Sequence, residues 1–196
     1  MLATNDTDIR KALHAKKLRN FKGVPRTIVV DELGLAHAKV RIDVAVINGC
    51  IHGYEIKSSL DTLGRLPAQL DLYAQCLEKL TIVCATRHLT KIEILAPAWA
   101  GIVVASKGVR GGIRFSTVRR TGVNPGIEAA QLAHLLWRGE AIELLKRRGI
   151  PEKALRAPRK ELYQALAQLM TISELTEAIR EFMVLRPRWR YLPAHA

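Results

Sequence analysis

A chain of 196 residues with 48% hydrophobic and 25% charged side chains can bury a full core and is too apolar for disorder. No apolar run reaches the roughly 20 residues of a membrane helix, and the opening stretch MLATNDTDIRKALHAKK lacks the apolar segment of a secretory signal, so a cytoplasmic location is expected. The charge is unbalanced: 31 Lys and Arg face 18 Asp and Glu, a net +13 that attracts polyanions. The excess lies late, with 14 basic and 10 acidic residues over 1–105 and 17 and 8 over 106–196. Cys50, Cys76 and Cys84 are an odd set without a CxxC pair in apolar surroundings, which favours small buried hydrophobes over a disulfide or zinc site.

In chain order, residues 7–20 carry Ile9, Leu13 and Leu18 near helical spacing, with Thr7 or Asp8 placed as a cap, and Gly23 and Pro25 end that helix. TIVVDEL is β-branched and reads as a strand, followed by a turn through Gly34. Residues 39–47 and 51–58 read as two strands joined through Asn48-Gly49-Cys50, a hairpin signal. Residues 61–78 read as a helix capped by Asp61, its regular part starting near Pro67. TIVCAT (81–86) lacks alternation and suits a strand covered on both faces. A short helix over 88–95 and the strands GIVVASKG and GIRFSTVR continue the alternation. From Asn124 two long helical stretches follow, separated by Gly149-Ile150-Pro151, with a second helix start at Thr171 to Glu174. The expected organisation is an α/β core over 1–120 and a basic helical subdomain over 121–196.

The chemistry concentrates in the two central strands. Residues two apart share a strand face, so Glu55 and Lys57 point together and Tyr54 and Ile56 point away. A buried acid and base need partners, and the preceding strand offers Asp43 between Ile42 and Val44. A two-residue turn at Asn48-Gly49 would put Asp43 across from Tyr54. A three-residue connection pairs Ile47 with Ile51 and sets Asp43 opposite Glu55. The second register is predicted, with a cation between the opposed carboxylates. Oxygen ligands favour Mg²⁺ or Mn²⁺, which would polarise a phosphoryl oxygen and activate water, with Lys57 as a positioning or proton-transferring group.

Asp43, eleven intervening residues and Glu55-Ile56-Lys57 resemble the PD-(D/E)XK phosphodiesterase superfamily, the restriction-endonuclease-like fold. The stretch from Thr27 to Leu89, with VVDELGL, RIDVAVING, GYEIKSSLDTLGRLPAQLDLY and RHL, is similar to uncharacterised bacterial members and to a DNA-repair-associated branch. The resemblance implies a mixed central sheet flanked by helices, and two further site residues: Glu32 as a metal ligand before the Asp strand and Gln69 on the following helix. The family's leading proline is replaced by Ile42. Self-association as a homodimer is also implied.

Against these readings stand structural roles. Asp43 could pair with Arg41, Asp31 and Asp61 suit turns and caps, and His52 and His88 suit partly buried positions. Trp99 and Trp137 read as core, and Trp189 as core or an exposed stacking surface. In the tail, Lys146, Arg147, Arg148, Arg159 and Lys160, with Arg156 and Arg186 to Arg190, form either a phosphate-tracking surface or a solvated helical cap. The functional expectation is a Mg²⁺- or Mn²⁺-dependent deoxyribonuclease acting in DNA repair, phage defence or mobile-element processing. The alternative is a non-catalytic nucleic-acid-binding protein that keeps the nuclease fold.

Overall fold

The fold was analysed in a computed structural model, which describes residues 2–36 and 38–186. Six strands form one sheet in sequence order: β1 (Ile28–Leu35), β2 (Val40–Ile47), β3 (Ile51–Lys57), β4 (Lys79–Ala85), β5 (Gly101–Lys107) and β6 (Ile113–Arg119). β1–β2, β2–β3 and β5–β6 are antiparallel, whereas β3–β4 and β4–β5 are parallel. Parallel neighbours require a crossover, and α2 (Leu66–Cys76) and α3 (Leu89–Leu95) provide the two. The buried run in β4 follows from this position, covered on both faces at the centre of the sheet.

The helix boundaries have local causes. α1 (Asp6–Lys16) starts at Asn5, whose side chain accepts from Asp8 N; the cap is Asn5, not Thr7 or Asp8. Asp61 does not cap α2 either: its carboxylate takes the Ser58 amide at 2.6 Å and tightens the turn leaving β3. Pro67 falls in the first turn of α2, where no helical hydrogen bond is lost. Gly34 lies inside β1, and the turn follows at Ala36 and Ala38, both with positive φ.

The two sheet faces carry separate apolar clusters. α1 covers one, packing Ile9 and Leu13 on Val44, Val46, Ile56, Val83 and Val103. The other face is covered by α2, α3 and the helices after residue 124: α4 (Ala129–Ala133), α5 (Arg138–Arg147), α6 (Arg159–Leu169) and α7 (Ile172–Leu185). Leu132, Leu144, Leu166, Ile179 and Met183 join Ile42, Leu70, Tyr73 and Leu80 in one continuous cluster. Gly53 permits this closeness, because a Cβ there would lie 2.6 Å from Leu77 Cδ1. α7 starts at Thr171, where Thr171 and Glu174 cap each other reciprocally. Trp99 is half-buried against the larger cluster. Trp137 is 56% exposed rather than core, with the Arg186 guanidinium 4.5 Å from its ring centre. Trp189, with Arg188 and Arg190, lies outside the described residues.

The junction between sheet and helices is held by Asn124. Its buried side chain donates to the Ala74 and Leu77 carbonyls at 2.6 and 2.8 Å, which satisfies the C-terminal end of α2. Asn124→Ala should therefore lower the unfolding free energy by roughly 1–3 kcal/mol in urea titrations, while a loss within error would remove this junction from the stability of the fold.

Candidate acidic site at the β2–β3 splay

The strand pattern changes phase at one level of the sheet. In β1, Ile28 and Val30 face the larger cluster, and after Glu32 this duty passes to Leu33 and Leu35. Glu32 has φ 55, a left-handed conformation uncommon for a residue with a side chain, and this shift turns both Asp31 and Glu32 outward. β2 shifts at the matching place, from Val40 and Ile42 to Ala45 and Ile47. The β2–β3 ladder pairs Ile47 with Ile51 and Val44 with Tyr54, the register expected from the three-residue connection, but it ends there, short of the expected Asp43–Glu55 pair. Gly49 makes that connection with φ 67.

Beyond Val44 and Tyr54 the ladder gives way to a side chain. Asp43 Oδ2 accepts the Ile56 amide at 2.6 Å, while Oδ1 accepts from Arg10 at 3.0 Å. Arg10, on α1, also reaches Asp6 at 3.1 Å, Glu32 at 2.8 Å and the Asp43 carbonyl at 2.5 Å. On the opposite face, Lys57 Nζ donates to Glu55 Oε1 at 2.6 Å and to Gln69 Oε1 at 3.0 Å. The Tyr73 hydroxyl lies 2.6 Å from Glu55 Oε2 and 2.8 Å from the Arg41 carbonyl, so one proton serves two acceptors. Glu55 is 2% and Lys57 9% exposed.

The structure thus brings Glu55, Lys57 and Gln69 together on the α2 face, whereas Asp43 joins Glu32 through Arg10 on the α1 face, so the expected convergence of Asp43 with Glu55 and Lys57 on one face is not seen. The direct Asp43–Arg41 pairing considered from sequence is replaced by Asp43–Arg10; Arg41 instead lies 3.8 Å from Glu32. Two members had no sequence signal strong enough to find them. Arg10 reads as one more polar position on a helix, although Asp6 four residues earlier was a hint. Tyr73 reads as core, although its spacing from Gln69 places both on one helix face.

The electrostatics follow from burial and from carboxylates lying near one another. Burial and the neighbouring Glu55 push the Asp43 carboxyl up to about 7, against the pull of the Ile56 amide and Arg10. Burial and Glu55 also raise the Tyr73 hydroxyl far above its ordinary range, which keeps it a donor. Burial drives His52 down to about 4, so it is neutral where it hydrogen-bonds Thr81; His88 is buried against the Ser58 carbonyl and is also lowered, by burial first. The expected Mg²⁺ or Mn²⁺ would meet carboxylates that already hold Arg10 and Lys57 as their cations. Among the described residues no group of three or more His, Cys, Asp and Glu is placed to hold a metal ion. The cysteines are free, with Cys76 and Cys84 buried.

Two outcomes test this picture of a self-compensated cluster. Lys57→Ala strands a buried carboxylate and should cost about 3–5 kcal/mol in urea unfolding, with much of the loss recovered in Glu55→Gln/Lys57→Met; a cost below about 1 kcal/mol would show that the pair does not hold the sheet. The raised Asp43 favours its protonated form in the folded chain. Its contribution is therefore full below the ordinary value of 3.8 and lost as pH rises through about 7. Unfolding free energy measured across that window should decline more steeply in the wild type than in Asp43→Asn, and parallel curves would exclude the assignment.

With this geometry in view, the relatives decide the family. The family model described as "Bacteriophage P4 protein cII" matches residues 5–192. Protein cII of Enterobacteria phage P4 is 26% identical over 163 residues, covering 83% of this chain and 59% of that protein. The chain therefore spans under two thirds of the length of that relative. No solved structure matches the chain. These matches overturn the expected membership of the PD-(D/E)XK superfamily and, with it, the expectation of a metal-dependent deoxyribonuclease or any other phosphodiester hydrolase. The short Asp–Glu-x-Lys pattern is met here by a cluster whose cations are its own side chains, inside a mixed α/β fold with a six-stranded sheet flanked by helices. The chain belongs to the bacteriophage P4 protein cII family.

Proposed function

We propose that this protein binds nucleic acid, DNA in the first place, by holding the phosphate backbone, and that it acts by occupying the strand. The observation that carries the reading is a set of exposed cations at the start of α6 and in the turn before it. Lys153, Arg156, Arg159 and Lys160 are exposed, and among the described residues none has an acidic partner within salt-bridge distance. Such cations keep their charge available for phosphate, and each phosphate neutralised releases counterions.

The neighbouring basic run differs. Lys146 lies 3.7 Å from Glu152, Arg147 2.5 Å from Glu143 and Arg148 3.0 Å from Glu174. These ion pairs are exposed, so each is worth little on its own, yet phosphate must compete with a carboxylate already in place. Arg186 is further removed, 7% exposed and bound to Glu140. Of the five tail residues singled out from sequence, Arg159 and Lys160 therefore support the reading most directly, with Arg156 and Lys153 beside them. Lys11, Lys17, Arg19 and Lys22 add exposed positive charge on and after α1.

The test is fluorescence anisotropy of a labelled duplex across a salt series. Affinity should fall linearly on logarithmic axes, with a slope of about −0.9 per phosphate contacted, and Arg156→Ala/Arg159→Ala/Lys160→Ala should flatten that slope by roughly one unit per residue lost. Absence of binding at low salt, or a slope unchanged in the triple variant, would overturn the reading.

A further inference from the structure

A crevice of about 360 Å³ opens at the carboxyl ends of the parallel strands β3, β4 and β5. Its walls include Thr4, Ser59, Thr86, Arg87, Ser106 and Lys107. The volume lies at the lower end of the range of small-ligand sites, and carboxyl strand ends are where open α/β sheets gather their ligands. Its position follows from the topology. α2 and α3 both cross on one face, while the chain before α1 runs past the strand ends from the other side. That chain is fastened at both edges. Thr4 and Ser59 exchange hydrogen bonds of 2.7, 3.0 and 2.9 Å, and Leu2 bridges to Lys107.

Beside the apolar Leu2, Leu60, Ala85 and Ala105, the polar part of the lining offers donors to an oxyanion. The Arg87 guanidinium is held at the rim by donating to the Asp61 carbonyl at 2.8 Å. That anchoring leaves further N–H groups for a ligand, since a guanidinium carries five. Lys107 also lines the crevice, and its Nζ donates to Asp8 at 2.9 Å. Thr86 and Ser106, at or just beyond adjacent strand ends, also line the crevice and carry hydroxyls. The Asp61 carboxylate is spent on the Ser58 amide, so Asp8 is the acid to be offset.

We propose that this crevice binds the phosphate group of a small phosphate ester, held by Arg87 and Lys107 and by the hydroxyls of Thr86 and Ser106. Charge-assisted bonds to phosphate are the strong ones and favour an arginine at such a rim. The group could be carried by a free nucleotide or by the phosphorylated end of a strand, and both present the same oxygens. The site is separate from the exposed cations of α6 and does not depend on them.

The experiment is calorimetric titration of the full chain with inorganic phosphate, with a nucleoside monophosphate, and with a short oligonucleotide bearing a 5′-phosphate or a 5′-hydroxyl. Saturable binding of the first two identifies a free ester as the ligand, whereas a preference for the 5′-phosphorylated oligonucleotide alone identifies a strand end. Arg87→Ala should weaken the phosphate-dependent binding about tenfold or more, in line with losing a charge-assisted pair. Should that variant fail to fold, Ser106→Val decides, since it removes a hydroxyl and fills the crevice with apolar carbon. Arg156→Ala/Arg159→Ala/Lys160→Ala should leave phosphate binding unchanged, which separates this site from the backbone-binding face. No saturable binding of any phosphate-bearing probe, binding unaffected by Arg87→Ala and Ser106→Val, or binding lost in the triple variant would overturn the proposal.

Discussion

At residue 43 the β2–β3 ladder passes from backbone to side chain: the Ile56 amide, which a neighbouring strand would ordinarily satisfy, is taken by the Asp43 carboxylate at 2.6 Å. An unpaired amide there would be costly, so the carboxylate allows β2 and β3 to part without a penalty in hydrogen bonding. The parting places a carboxylate between two helix layers. Arg10 reaches it from α1 on one side, and Glu55, with Lys57, Gln69 and Tyr73, lies toward α2 on the other. Each cation is mostly buried and each holds a carboxylate from the sheet. α1 and α2 are thus tied to the same strand pair by charge as well as by apolar contact.

The cluster shows how a short acidic pattern can arise for reasons of architecture. Mostly buried carboxylates on neighbouring strands demand positive charge nearby, and the fold supplies it from within. Arg10 serves Asp6, Glu32 and Asp43 together, which also explains why the strained backbone at Glu32 is tolerated: the left-handed turn of the chain brings that carboxylate to the guanidinium. The remaining excess of positive charge is spread elsewhere. Much of it along α5 and α7 is met by glutamates, so overall charge overstates the cations open to a polyanion.

The larger apolar cluster joins the sheet to the helices that follow residue 124, and Asn124 sits at the point of passage. This shared core makes the helical part a layer over the sheet. It faces the sheet with Leu132, Leu166 and Ile179 and turns its basic residues outward. The family match spans both parts, from residue 5 to 192.

Much of this was legible in the residues alone. Alternation and β-branching marked the strands, and Asn48-Gly49-Cys50 set a three-residue turn whose parity pairs Ile47 with Ile51. These features are local, governed by strand period and turn length, which neighbouring residues determine. Pro67 and the Thr171–Glu174 pair located helix starts for the same reason. The pattern misleads about the family because an Asp–Glu-x-Lys spacing fixes only three residues, Asp43, Glu55 and Lys57, while kinship is carried by the whole chain. What compensates the acids was decided only in three dimensions. Arg10 stands 33 positions before Asp43 and Tyr73 stands 18 after Glu55, and no periodicity links residues on different elements. Which cations stay exposed and unpaired, and which strand ends enclose a crevice, likewise depend on long-range packing. Charge and hydropathy patterns describe each segment singly, whereas partners across the fold are chosen by how the layers close on one another.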